Sequence, residues 1–357
     1  MKILKSKKHY LAFMKKKNII IGSSETKREA PFLNILNKQK NRFRFFWCYR
    51  HIRNFFSFTE YMKNYSPAQI KKLRQSYLEW FTGFVEGDGC FYAKHEPNNR
   101  IRLGFEISQK DPKVLYEIKK NLGFGRVYQK IKSDGQTYWV YFVSDKKGCL
   151  RILSLFNGNF ILPKRRKQFN RWVQFAKKAG ILPKNFVNKH SNILKGPTVS
   201  LNTGWLSGFV DAEACFYANL STPSPRSRLS HSIKQKMHIT QKSVQGEEKI
   251  LAQIAQLFLS KAKVAKCRGK AKKFEEKTNY YRIEISSLES HQKIREYLNK
   301  FKLKTNKKIA YLQWCRVVLA RELGHHLEQS RLPRLKRLCK AINRNVKKFE
   351  NHEFVVL

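Results

Sequence analysis

Between residues 100 and 108, apolar Ile101, Leu103, Phe105 and Ile107 alternate with Arg100, Arg102, Glu106 and Ser108. A period of two is that of a strand with one buried face. The period then lengthens: Val114, Leu115, Ile118 and Leu122 fall on one stripe of a helix predicted over 111–122. Gly123-Phe124-Gly125 turns the chain into a strand over 126–131, and Asp134-Gly135 predicts a hairpin into a strand over 137–143. A helical stretch from Leu150 and a basic helix over 164–178 follow. Upstream, Ser76 with Glu79 three residues later is a capping-box pattern, so a helix is predicted from residue 76. It should stop at 87–89, where glycine can take the left-handed turn of a helix end.

Residues 180–200, with Gly180, Pro183, Gly196 and Pro197, read as a linker. The order of elements then repeats. A helix is predicted from 202 or 203 to about 214, strands from 216 and over 232–241, a helix over 246–259, strands over 264–270 and 280–285, and helices over 289–300 and 307–321. One more basic helix, carried by Leu335, Leu338 and Ile342, follows from Leu332. Each half therefore reads as an α+β domain with helices on one face of an antiparallel sheet. The expected division is a first domain over 76–179, the linker over 180–200, a second domain over 201–321 and a basic helical tail over 322–357.

Two segments repeat in sequence as well as in order. Trp80-Phe81-Thr82-Gly83-Phe84-Val85-Glu86-Gly87-Asp88-Gly89-Cys90-Phe91-Tyr92-Ala93 is matched by Trp205-Leu206-Ser207-Gly208-Phe209-Val210-Asp211-Ala212-Glu213-Ala214-Cys215-Phe216-Tyr217-Ala218. The copies lie 125 residues apart at their last acids, Asp88 and Glu213, a spacing for two fused domains rather than for a solenoid. On a helix, Gly83 and Gly87 share a face, as do Gly208 and Ala212. Stripes so nearly bare let two helix backbones approach closely. If they pack together, Asp88 and Glu213 meet at two helix C-termini, where carboxylates repel unless cations join them. Oxygen ligands of this kind suit Mg²⁺, and carboxylates holding metal beside phosphate oxygens suit phosphodiester hydrolysis.

Charge points to the same class of partner. The 357 residues carry 74 Lys and Arg against 25 Asp and Glu, a formal +49, which calls for a polyanion. No apolar run approaches the ~18 residues of a spanning helix, so a membrane surface is the weaker partner. Seven cysteines without a Cys-x-x-Cys pair argue against a disulfide framework or a zinc site. The first 75 residues hold 19 Lys and Arg against 3 Glu. This basic extension, with disorder left open, fits a transit segment, an arm along phosphates, or a tail of biased composition.

The segments at 81–89 and 206–214 resemble the nine-residue signature of the LAGLIDADG homing endonucleases, in the single-chain form with two motifs. The similarity runs over about 76–321 and includes the order of strands and helices. It implies two pseudo-symmetric αββαββα domains, with the motif helices at their interface and both antiparallel sheets forming a saddle over DNA. It further implies Mg²⁺-dependent double-strand cleavage of a long asymmetric site. Carried onto this sequence, the metal-binding acids are Asp88 and Glu213, with the backbone at Gly87 and Ala212 as further metal contacts. Gln109 and Gln241 match the family's water-ordering residue, and Lys307 its basic residue. In the first half Lys164 and Arg165 are rivals for that basic role. Ala214 departs from the usual Gly; a positive φ there would cost on the order of 1 kcal/mol.

DNA contacts are expected from the open face of the sheets. The candidates are Lys94, Asn98, Arg100, Arg102, Arg126, Tyr128 and Lys130 in the first half. The second half offers Asn219, Ser221, Lys234, Lys236, His238, Lys266, Arg268 and Lys270. The functional expectation is a site-specific double-strand DNA endonuclease that acts as a monomer. The alternative is an RNA maturase that assists splicing of its own group I intron. Encoding in an organelle, mitochondrion or chloroplast, fits the Lys- and Asn-rich bias. His325-His326 lacks a third ligand at useful spacing and reads as surface.

Overall fold

A computed structural model of the chain describes residues 56–63, 65, 73–97, 100–191, 196–221, 231–243, 246–268, 279–343 and 355–356. After a short helix α1 (Thr59–Met62), the first half runs α2 (Gln75–Asp88), β1 (Gly89–His95), β2 (Ile101–Gln109), α3 (Lys113–Leu122), β3 (Arg126–Ile131), β4 (Thr137–Val143), α4 (Lys146–Phe156) and α5 (Pro163–Lys178). The second runs α6 (Trp205–Glu213), β5 (Ala214–Ser221), β6 (Ser232–Lys242), α7 (Glu247–Leu257), β7 (Ala265–Arg268), β8 (Asn279–Ile285), α8 (Leu288–Lys300), α9 (Lys307–Glu322) and α10 (Leu332–Asn343). Both sheets are antiparallel, ordered β1-β2-β4-β3 and β5-β6-β8-β7, and a two-residue β9 (Val355–Val356) extends the second beyond β7.

Each sheet packs its apolar face on helices. In the first half Phe91 and Phe105 meet Phe156 with centroids 5.7 and 5.8 Å away, and Phe91 lies 5.2 Å from Trp172. In the second, Phe216 lies 5.3 Å from both Tyr311 and Trp314. The central seam is the crossing of α2 and α6. A β-carbon on Gly83 would come within 1.9 Å of the Trp205 carbonyl oxygen, and one on Gly208 within 1.8 Å of that of Trp80. A β-carbon on Gly87 would fall 2.2 Å from that of Ala212. Glycine is therefore required where backbone meets backbone.

Several local expectations change. Residues 56–62 belong to the folded first half rather than to an extension: Phe56, Phe58 and Tyr61 are buried, and Ser57 and Asn159 exchange two hydrogen bonds of 2.9 Å. Residues 1–55 lie outside the described residues. The capping box does not form, because α2 starts at Gln75 and Glu79 Oε2 accepts from Gly204 N (2.8 Å) across the seam. Both motif helices end in extended backbone, Gly89 at φ −75° and Ala214 at φ −83°. No left-handed turn is needed, and Ala214 carries no strain. Within the linker, His190 is buried on Phe160 (5.6 Å) and accepts from Gly158 N (3.0 Å). The tail helix α10 packs on β5 and α9 through Leu335, Cys339 and Ile342. Among the described residues no helix is long and apolar enough to cross a membrane.

Two predictions follow from this packing. Gly83→Ala should lower stability by about 3 kcal/mol or more, because the facing atom is backbone and cannot turn aside. A urea midpoint equal to that of the wild type would mean that the helices do not meet there. Burial lowers His190 and His291 to about 4, below the ordinary ~6.5. The unfolded chain then takes up protons first, so stability held above about pH 6.5 is lost as pH falls toward 4. The loss should be smaller in His190→Gln; an unchanged pH slope would show that His190 is not held neutral.

Candidate active site

The site forms where α2 and α6 end. Asp88 is the last residue of α2 and Glu213 the last of α6. Gln109, at the end of β2, donates to Asp88 Oδ2 at 2.7 Å. Burial pushes the Asp88 carboxyl up to about 6, and Glu213 adds to the rise; Lys307, Gln109 and Arg165 oppose it. Among the described residues no donor hydrogen-bonds the Glu213 carboxylate. Two facing carboxylates at two negative helix ends, one of them without a donor, fit a hard divalent cation. The described residues contain no group of three or more His, Cys, Asp or Glu that could hold one instead. His325 and His326 lie in a short 3₁₀ turn over His325–Leu327.

The last carbonyls of a helix have no partner within it. At α6, Lys307 Nζ donates to the oxygens of Val210 and Ala212, both at 3.1 Å. At α2 the same place is taken by Arg165, whose Nε donates to Glu86 O (2.7 Å) and whose Nη2 donates to Gly87 O. Arg165 is therefore the counterpart of Lys307. Lys164 instead reaches Gln241 Oε1 across the seam, and its backbone N–H donates to Glu247 Oε1 at 3.0 Å. The Gly87 and Ala212 carbonyls thus face the two cationic side chains, each oxygen with a second lone pair to spare. Burial lowers the pKa of both lysines, and nearby acids oppose it: Glu213 chiefly for Lys164, Asp211 ahead of Asp88 for Lys307.

Sequence reasoning missed the first acid of each copy. Glu86 is fully buried and accepts from the N–H groups of Ile161 (2.7 Å) and Leu162 (2.5 Å) and from Trp205 Nε1 (2.8 Å). Asp211 accepts from Lys304 N (2.7 Å), Thr305 N (3.2 Å), Thr305 Oγ1 (2.5 Å) and Trp80 Nε1 (2.8 Å). Each acid therefore seats the chain entering the helix that carries Arg165 or Lys307, and holds the tryptophan of the opposite motif. Burial pushes Glu86 up to about 7, and its three N–H donors pull the other way. The available signal was the repeat itself, which places an acid at 86 and 211, two residues before Asp88 and Glu213.

On the open faces, strand pairing places Lys94 beside Arg102, Arg126 beside Phe142, Tyr128 beside Val140, and Lys130 beside Tyr138. Asn219 pairs with Lys234, Ser221 with Ser232, and His238 with Cys215. Lys94, Arg100, Arg102, Arg126, Asn219 and Lys234 are exposed. Lys130 lies 3.7 Å from Glu106. Burial lowers His238 to about 3, and its Nδ1 is enclosed without a hydrogen-bond partner. Lys266 is a correction. It pairs with Tyr281, on the face shared with buried Ile283, so Ala265 and Cys267 take the open side of β7. Arg268 pairs with Asn279 on that same strand. Asn98 and Lys270 lie outside the described residues.

The model of the LAGLIDADG endonuclease family matches residues 81–176 and 206–318. A probable intron-encoded endonuclease 4 of Neurospora crassa is 31% identical over 252 residues, 69% of this chain and 40% of that protein. The chain thus spans well under half of that relative. A probable intron-encoded endonuclease Cox1-I1b of Schizosaccharomyces pombe is 25% identical, over 69% of each chain. Among solved structures, the LAGLIDADG meganuclease I-AabMI bound to uncleaved DNA aligns with 75% of this chain and 99% of its own. Its TM-score is 0.56 at 20% identity. The meganuclease I-SmaMI bound to uncleaveable DNA gives 0.57 at 17% identity, over 76% and 99%. These structures share the fold.

Asp211→Ala should leave the donors from Trp80, Lys304 and Thr305 without their acceptor, at about 3 kcal/mol or more. Asp211→Asn, which keeps one acceptor oxygen, should lose less. Urea unfolding of the three proteins checks the order, and equal midpoints would remove the seating role.

Proposed function

Since the chain belongs to the LAGLIDADG endonuclease family, we propose that it is a site-specific endonuclease that cuts both strands of a DNA target. The observation that carries this reading is the pair Asp88 and Glu213, brought to one place by the glycine seam, each at the end of its helix. Held between them, Mg²⁺ would polarise a phosphodiester and lower the pKa of a bound water. The chain's own residues do the rest. Arg165 and Lys307 stand beside the carboxylates as fixed cations, where negative charge grows on a phosphate under attack. Gln109 fixes the orientation of the Asp88 carboxylate, and Gln241, tied to Lys164, is the matching amide of the other half. Two such half-sites in one chain suit an asymmetric target and need no second copy.

The formal charge of +49 supports a duplex partner, and binding should weaken steeply with salt. Relatives from Neurospora and Schizosaccharomyces carry names that call them intron-encoded. This supports an intron reading frame in a mitochondrial genome, with the intron-less allele as target. A second reading has its own support: a Saccharomyces cerevisiae protein named intron-encoded RNA maturase bI4 is 27% identical over 161 residues. The same chain would then also bind its intron RNA.

The test offers the purified chain a duplex spanning the joined exons, with Mg²⁺ or with chelator. Cleavage should require the metal and fall by about two orders of magnitude or more in Asp88→Asn and in Glu213→Gln, with duplex binding retained. Undiminished cutting by either variant would sink the reading. Stimulated splicing of the intron transcript, with no cutting of the duplex, would favour the maturase.

A further inference from the structure

The open faces of the two sheets differ at matching positions. In the first sheet Tyr92 lies flat over Gly104, where an added β-carbon would sit 2.1 Å from Tyr92 Cζ. The Tyr92 and Phe142 rings stack with centroids 6.1 Å apart and planes 26° from parallel, and Tyr128 meets Phe142 edge-on at 6.0 Å. Phe142 and Val140 are buried on this side, apart from the aromatic core on the other face. Arg126 stands over the Phe142 ring at 5.0 Å and Lys130 over Tyr128 at 5.5 Å. Pairing aligns Gly104, Phe142 and Val140 with Lys236, Glu284 and Arg282 of the second sheet. There the side chains are charged and bind one another, Lys236 to Glu284 at 2.9 Å and Arg282 to Glu284 at 2.8 Å.

Resting on the endonuclease reading above, we propose that the half-buried Tyr92 and Tyr128, backed by buried Phe142, read thymine in the major groove of one half-site, by apolar contact with C5-methyl groups. Of the four bases only thymine presents a methyl in that groove. A paired duplex offers no free base face for stacking, so an aromatic surface meets base edges there. The rim of Arg126, Lys130, Arg102 and Lys94 supplies the opposite charge for the flanking phosphates. The second sheet keeps a tyrosine, Tyr217, at the place of Tyr92. It has Ala265 in place of Tyr128 and charged Lys236, Glu284 and Arg282 in place of Gly104, Phe142 and Val140, so it reads its half-site by hydrogen bonds instead. The two half-sites are therefore recognised by different chemistry as well as different sequence.

The probe is the joined-exon duplex with deoxyuridine in place of thymidine, in one half-site at a time, which removes methyls and keeps every hydrogen bond. Affinity of the full chain is read by fluorescence anisotropy in chelator. Substitution in one half should weaken binding roughly fourfold per contacted methyl; in the other half the change should stay below about twofold. Tyr128→Ser should lose that discrimination. Equal affinity for the thymidine and both deoxyuridine duplexes would overturn the proposal, and so would a half-site without thymine under the patch. The wild-type comparison stands even if the variant misfolds. A normal duplex neither bound nor cut would overturn the endonuclease reading and this inference with it.

Discussion

Backbone touches backbone where α2 crosses α6, and most other features of the molecule depend on that contact. Side chains of ordinary size would hold two helices about 8–10 Å apart. Gly83 and Gly208 remove them, each facing a main-chain carbonyl of the other helix. Both helices then end together, and an acid at each end becomes one half of a shared site. The same closeness lets Trp80 reach Asp211 and Trp205 reach Glu86. A seam with no side-chain freedom defines the distance between two carboxylates better than a loop could.

Much of this was legible in the sequence, for a physical reason in each case. The strands over 126–131 and 137–143 were bounded by the turns at Gly123-Phe124-Gly125 and Asp134-Gly135, and β3 and β4 occupy those residues. The glycine stripe announced the seam because few other roles require two bare faces in matching positions. What the sequence hid depends on partners far along the chain. Glu86 and Asp211 find their donors 75 or more residues away, and no local pattern marks a buried acid that is satisfied. Alternation shows which residues share a face, but not which face. Lys266 therefore went to the wrong side until pairing with Tyr281 fixed the register. Glu79 looked like a local cap, whereas the free N–H it satisfies belongs to Gly204 on the other helix.

The two halves keep the same geometry with different atoms. Arg165 and Lys307 both cover helix-end carbonyls, one with a planar fork and the other with a single ammonium. Gly89 and Ala214 are both extended, so the backbone makes no distinction between them. Trp80 on Phe84 and Trp205 on Phe209 stack at 5.1 and 5.0 Å. The halves diverge at the open faces of the sheets, at the cations beside the acids, and in α1, α10 and β9, which each belong to one half alone.

The crossed pairs of Trp80 with Asp211 and Trp205 with Glu86 have a consequence for recombination. Each half carries a lock for the other's key: an indole donor on one helix and a buried acceptor on the next. A chimera that joins one of these halves to a half from another protein must keep both, or it buries an acid with a donor missing. Exchange of either half is thus constrained by two hydrogen bonds at the seam.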